Sequence, residues 1–288
     1  MGVEQYGRIL VYPSSGRLLF ATDFHGQLRD FRRLASWFST RRADGEDVYL
    51  LFAGDFVHGP RPGQHGRWLE TDRSPALLKA FQALQNEHPG RVHSLLGNHE
   101  YGHLGGPLTQ KFYRGQDDDV SALCRRLGRT EADAAHALFA QFSLLALSPC
   151  GVVFSHAAPN LTIVPDLISR IIHADVHQRD AVIMQLTWPR AVEDTHIEAV
   201  LDALSFQGID PQIAAYGHEI IPTGVDRSMH RQLVVSTSFA IADRHKRVLD
   251  VDLAATYSDV SDFREGKELR LLYPQHARKP SEGVGRYC

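Results

Sequence analysis

Five short runs place an aspartate, asparagine or histidine directly after an apolar stretch: Asp23-Phe24-His25-Gly26, Gly54-Asp55, Gly97-Asn98-His99-Glu100, Ser155-His156 and Gly217-His218. Carboxylate, amide oxygen and imidazole are the donors expected for manganese, iron or zinc at a reactive site, whereas a closed structural zinc takes thiolates. The three cysteines, Cys124, Cys150 and Cys288, lie outside all five runs. Asp23 and His25, two apart on an extended exit, can face one ion if the chain bends at Gly26. Asp55 is anionic and could bridge two ions, while Asn98, His156 and His218 could hold the second, which leaves His99 unliganded beside them. Each run alone has an ordinary reading, because Asp and His after a strand are common turn and cap residues. All five in this order, each at a strand end, favour a two-metal centre.

The elements that must position these residues follow from periodicity. Arg17 to Thr22 reads as a buried strand, followed by Leu28, Phe31, Leu34, Ala35 and Phe38 at helical spacing. Val48 to Ala53 is a second strand. Ser74 and Pro75 then cap and open a helix over Ala76 to Leu84, which Pro89-Gly90 ends. Val92 to Leu96 is a third strand, and the strand, helix, strand rhythm implies crossover units and a largely parallel first sheet. Residues from about Thr109 to Ser143 read as mostly helical, with the acidic run Asp117 to Asp119 as a helix start. Short strands follow at Val152 to Ser155, Ile213 to Tyr216, Leu233 to Ser236 and Val248 to Leu253. Between them lies an amphipathic helix carrying Ile197, Val200, Leu201 and Leu204, with a capping box at Thr195 and Glu198. In such sheets ligands bind at the carboxyl ends of strands, where all five runs fall. Two sheets packed face to face with helices outside account for the order. One domain spans residues 1–288, with a core of about 17–253 and a loosely attached tail over about 264–288.

Composition narrows the function. The chain has 288 residues, 43% hydrophobic, which suffices for a large core. With 31 Lys+Arg against 34 Asp+Glu the net charge is −3, so no excess of positive charge is available for broad nucleic-acid binding. No apolar run approaches the ~18 residues of a membrane span. The start of the chain lacks a secretory pattern and the cysteines form neither CxxC nor an even framework, so a cytoplasmic location is expected. Of the 16 histidines, those outside the runs, His136 among them, read as surface or helix residues, although His103, four after His99, could line the site.

The series TDFHG (22–26), GDFVHG (54–59), GNHE (97–100), SHAAP (155–159) and GHEIIPTG (217–224) resembles the calcineurin-like metallophosphoesterases, and within them the bacterial serine/threonine phosphoprotein phosphatases. The resemblance implies an α/β fold, a four-layer α/β/β/α sandwich of two mixed sheets flanked by helices, and a dinuclear centre. It makes Asp23, His25 and Asp55 the ligands of one ion, and Asp55, Asn98, His156 and His218 those of the other. Manganese is the expected metal, with iron or zinc as alternatives. Two ions about 3.5–4 Å apart would polarise the phosphoryl oxygens and generate a bridging hydroxide that attacks phosphorus in line. His99 is the expected general acid, its ordinary near-neutral pKa suiting the role.

Departures from the family pattern are informative. Where these phosphatases carry GDxVDRG, this chain has His58 at the position of the Asp that pairs with the general acid, and Gly59 at that of a phosphate-gripping Arg. His58 and Glu100 are therefore placed behind the ligands. A loop at Pro60 to Asp72 reads as an insertion, and Arg61, Arg67 or Arg73 could supply the missing guanidinium, with Arg61 favoured by nearness to Asp55. Leu96 replaces the Arg before GNHE. The segment Leu186 to Arg190 resembles one that sets an Arg over the metals, which makes Arg190 a phosphate clamp. The leading expectation is a metal-dependent phosphomonoesterase acting on a phosphorylated protein. One alternative is hydrolysis of a dinucleoside polyphosphate or another small phosphate ester or diester, with Arg67 and Trp68 reaching the nucleotide. Another is a weakly active scaffold that binds phosphorylated partners.

Overall fold

A computed structural model describes residues 2–60, 71–112 and 118–276. The hairpin β1 (Glu4–Tyr6) and β2 (Ile9–Val11) precedes β3 (Arg17–Ala21), α1 (Leu28–Ala43), β4 (Val48–Phe52), α2 (Ser74–Glu87) and β5 (Val92–Ser94). The one-turn helix α3 (Asn98–Tyr101) leads to α4 (Asp119–Leu127), α5 (Arg129–Phe139), β6 (Leu145–Ser148) and β7 (Val152–Ser155). Then come α6 (Leu167–Ile172), α7 (Ala181–Thr187), α8 (Asp194–Ala203), β8 (Ile213–Tyr216), β9 (Val225–Asp226), β10 (Gln232–Val235), β11 (Arg247–Asp252) and β12 (Leu269–Leu271).

These strands form two mixed sheets. One has the order β12-β11-β3-β4-β5, in which β3, β4 and β5 are parallel and β11 runs against β3. The other has the order β1-β2-β6-β7-β8-β10-β9, with β7, β8 and β10 parallel. Alternation along β3 and β4 decides the layers. Leu18, Phe20, Tyr49 and Leu51 point inward and pack with Phe154, Ile213, Ala215 and Leu233 of the second sheet in one buried cluster. Leu19, Leu50 and Phe52 point outward and join a second cluster that includes the helical residues Phe31, Leu34 and Phe81. On the far side Ala214, Tyr216 and Val234 belong with Ile197, Val200 and Leu201 of α8. Strands buried on both faces read as continuous apolar runs, which is why VYLLF of β4 shows no alternation. The result is the expected α/β sandwich of two sheets flanked by helices.

Several sequence expectations are corrected. The segment from 264 is not loose as far as it is described: Leu269 pairs with Leu249, and the Tyr273 hydroxyl donates to Asp30 Oδ1 at 2.7 Å. Pro274, Pro280, Gly283 and Gly285 follow these buried anchors in the sequence, and residues 277–288 lie outside the described residues. The capping box of α8 does not form; the preceding position is Glu193, without a side-chain cap, while Glu198 accepts from His230 at 3.0 Å. Ser74 begins α2 rather than capping it, because its hydroxyl accepts the backbone N–H of His58 and Asp72 Oδ1 takes the N–H of Ser74. The helix start in the acidic run is present, with Asp118 accepting from Ser121 N; Asp117 lies outside the described residues.

Candidate metal centre

Each run lies just beyond the carboxyl end of a parallel strand: Asp23 and His25 after β3, Asp55 after β4, Asn98 and His99 after β5, His156 after β7 and His218 after β8. The centre therefore straddles both sheets. The exits are tight turns, and Asp23, His25, Asp55, His58 and His218 all have φ between 42° and 66°. Non-glycine residues seldom occupy this left-handed region, which costs of order 1–3 kcal/mol per residue and persists where the surroundings enforce it. Here the enforcement is visible. The N–H groups of His25 and Gly26 donate to the carbonyls of Asp55 and Phe56 at 2.8 and 2.7 Å, lacing the first two exits together. Glu100, buried, accepts from the N–H groups of Asp55, Phe56 and Val57 at 2.7, 2.8 and 3.3 Å, which fixes the turn that presents Asp55. Gly97 lacks a Cβ because one there would run into the Asp55 carboxylate.

Proton positions on the imidazoles follow from their partners. His25 Nδ1 lies 3.1 Å from the carbonyls of Val57 and His58, which only accept, so it carries the proton and Nε2 presents a lone pair. Likewise His156 Nδ1 donates to Ala53 O at 2.8 Å. Its bare Nε2 then stands 3.2 Å from Asn98 Oδ1, 3.2 Å from His218 Nδ1 and 3.7 Å from Asp55 Oδ1. The other Asp55 oxygen faces His25 Nε2 at 3.5 Å. One carboxylate thus spans two groups of inward-facing donors, His25 with His99 and His156 with His218. Buried carboxylate, amide and imidazole groups gathered this closely are an arrangement that cations satisfy, and the backbone carbonyls behind His25 and His156 are the partners that orient metal-binding histidines. The donor set suits divalent ions.

Asp23 is gathered less closely. Both its carboxylate oxygens accept the His218 N–H, at 3.1 and 3.0 Å, and it enters neither three-residue donor group. Burial pushes the carboxyls of Asp23 and Asp55 up to about 6 and about 7. Burial, opposed by its three N–H donors and reinforced by Asp55, pushes Glu100 up to about 8. The same burial holds the imidazoles of His25, His156 and His218 neutral, as metal binding requires.

The donors open onto a crevice of about 370 Å³ lined by Asp55, Asn98, His99, Lys111, Trp188, Arg190 and His218. Arg190 is exposed at its mouth and pairs with Glu219 at 2.7 Å. Lys111 was not singled out by sequence: it sits in a stretch read as helix, yet its Nζ reaches His25 Nε2 at 3.0 Å. Nothing local in the sequence marks that contact, which spans 86 positions. Arg61 and Arg67 lie outside the described residues, and Arg73, exposed at the start of α2, is not part of the crevice lining.

His58 does stand behind His99, Nδ1 to Nδ1 at 2.8 Å. His103 continues the contact, its Nε2 2.9 Å from His58 Nε2, and so is buried behind the site rather than lining it. Burial lowers His58 to about 3. Burial, then the neighbouring His25 and His58, put His99 well below its ordinary value, contrary to the near-neutral pKa read from the sequence.

A family model described as Calcineurin-like phosphoesterase matches residues 16–222. Among solved structures, the chain is similar to a protein serine/threonine phosphatase from Saccharomyces cerevisiae with similarity to human phosphatase PP5, at 16% identity and a TM-score of 0.53, covering 86% of this chain and 78% of that one. It is also matched to Yfce, a phosphoesterase from E. coli, at 14% identity and a TM-score of 0.33, covering 82% of this chain and 88% of that one. Among the described residues no helix is long and apolar enough to cross a membrane.

Proposed function

The chain belongs to the calcineurin-like phosphoesterases and is a phosphoester hydrolase, and from that premise we propose that its substrates are phosphoserine and phosphothreonine side chains of proteins. The observation that carries this reading is the convergence of Asp55, Asn98, His156 and His218 beside a crevice whose cations are Lys111 and Arg190. A phosphate monoester is a dianion, and two side-chain cations facing a polar centre suit it. Asp23, His25 and Asp55 are the proposed ligands of one divalent ion, and Asp55, Asn98, His156 and His218 those of a second, with manganese preferred to iron or zinc. Bound there, the ions would polarise the phosphoryl oxygens and activate a water as nucleophile.

The chain's own groups do the rest. Arg190 and Lys111 orient the ester, and Glu100 holds the turn that aims Asp55. His99, its Nδ1 taken up by His58, presents Nε2 toward the crevice and gives its proton to the departing alkoxide. Since burial favours the neutral ring, the dianionic ester is the charge that would stabilise the imidazolium.

A second reading, a dinucleoside polyphosphate or another small ester, is favoured by one feature. The Trp188 indole lines the crevice, its N–H without a partner among the described residues, beside the exposed Leu108 and Ile220, a surface on which a base could stack. The test is manganese-dependent turnover of a phosphoserine/phosphothreonine peptide, diadenosine tetraphosphate and bis(nitrophenyl) phosphate in parallel, with Asp55→Asn as control. Preference for the peptide supports the proposal. Preference for either of the others refutes it, and no turnover with both metals bound would favour a scaffold that only binds phosphorylated partners.

A further inference from the structure

Behind the catalytic crevice, three elements bring together donors that the reaction does not use. His103 follows α3, Cys124 lies on α4 and His136 on α5. His103 Nδ1 stands 3.1 Å from His136 Nε2, and Cys124 Sγ stands 3.8 Å from the first and 3.7 Å from the second. We infer that His103, Cys124 and His136 form a further metal site, separate from the dinuclear centre, that takes zinc or another thiophilic divalent cation.

Spacing is the first support. With zinc–nitrogen bonds of about 2.0–2.1 Å and a zinc–sulfur bond of about 2.3 Å, a tetrahedral ion has nitrogen–nitrogen edges of about 3.3 Å and nitrogen–sulfur edges of about 3.6 Å. The three observed separations lie within a few tenths of an ångström of those edges, so an ion can enter with little movement. The second support is the far side of His103. A metal-binding histidine needs a partner for its other ring nitrogen, and His103 Nε2 has one in His58 Nε2 at 2.9 Å. With an ion on Nδ1, the His103 proton must sit on Nε2 and is donated to His58. The donor set is the third. One thiolate and two imidazoles are soft and borderline ligands that favour zinc over manganese, unlike the carboxylate-rich centre. Binding deprotonates the Cys124 thiol, whose proton leaves to solvent, and a water would complete the four-coordinate set.

Cobalt titration of the full-length, chelator-stripped protein tests this, because only a cysteine ligand gives a thiolate-to-cobalt charge-transfer band in the near ultraviolet. The band is expected at one equivalent in the wild type and in Asp55→Asn, and absent in Cys124→Ser, which should bind one metal fewer. His136→Gln should weaken cobalt binding at this site by about tenfold or more. Saturation with cobalt without the band, or a band persisting in Cys124→Ser, overturns the inference. Should the variants misfold, maleimide labelling of wild-type Cys124, located by peptide mass, decides: zinc should slow it, and an unchanged rate overturns the site. Failure of the dinuclear reading is seen separately, as a metal count that Asp55→Asn does not lower.

Discussion

His58 stands where the family pattern has an aspartate, and replacing it by Asp tests what that substitution did to the proposed proton donor. His58 Nδ1 and His99 Nδ1 are 2.8 Å apart, and both rings are kept neutral, His58 at about 3. A neutral His58 therefore does not support an imidazolium at His99 as a carboxylate at that position would. A carboxylate at position 58 would lie about 4 Å from the His99 ring, and at an effective dielectric of about 20 that pair is worth about 4 kcal/mol. The corresponding rise in the His99 pKa is about three units. At a pH above both values the protonated fraction rises about tenfold for each unit of pKa, so His58→Asp should raise it by about one to three decades. The assay is kcat/KM against pH for a phosphoserine peptide and for nitrophenyl phosphate. An alkoxide needs the proton to leave and a nitrophenolate scarcely does, so the peptide-to-aryl ratio should grow at least about tenfold. The aryl substrate also reports damage to the centre, and His58→Asn is the uncharged control. A ratio that stays at the wild-type value in a folded His58→Asp protein would refute the assignment of His99 as general acid.

Metal affinity should climb as pH rises through 6 and 7, because Asp23 and Asp55 are pushed up to about 6 and about 7 and hold protons below those values that a cation must displace. Competition with a metal-indicator dye checks this, and a flat profile would contradict it. Arg190→Ala and Lys111→Ala should each raise KM for the phosphopeptide more than they lower kcat, since both cations face the ester before and during reaction; steady-state kinetics separate the two. Lys246→Met should cost about 3 kcal/mol in urea unfolding, with activity retained. It strands the buried Asp30 carboxylate, which loses its ammonium partner at 2.6 Å but keeps the Ser238 and Tyr273 hydroxyls.

What the sequence made legible was whatever a strand and its exit carry together. The apolar runs of β3, β4, β7 and β8 are long enough to show, and each ligand candidate follows within a few residues. Among the three-residue strands β5 shows, because its apolar run continues to Leu96, whereas β1, β2 and β12 are too short for a period and their pairing partners set them. Contacts made across the fold were equally hidden. Lys111 reaches the centre from a stretch read as helix, His136 reads as an ordinary surface or helix residue, and His103 reads only as one that could line the site, because their partners, Cys124 and His58, come from other elements. Arg61 and the rest of the 61–70 segment fall outside the described residues, and among the described residues the cations that line the crevice are Arg190 and Lys111.

The left-handed turns limit which residues can evolve at the centre. At Asp23, His25, Asp55, His58 and His218 the backbone has φ from 42° to 66°, a region that glycine enters freely and that Asp, Asn and His enter more readily than other side chains. A β-branched residue or a bulky apolar one would bear the full steric penalty there. The alphabet that the turns tolerate is thus almost the alphabet that binds hard and borderline cations, so drift at these positions tends to exchange one donor for another instead of erasing it. His58 in the place of an aspartate is such an exchange: it keeps the turn and a polar contact to His99 while removing the charge.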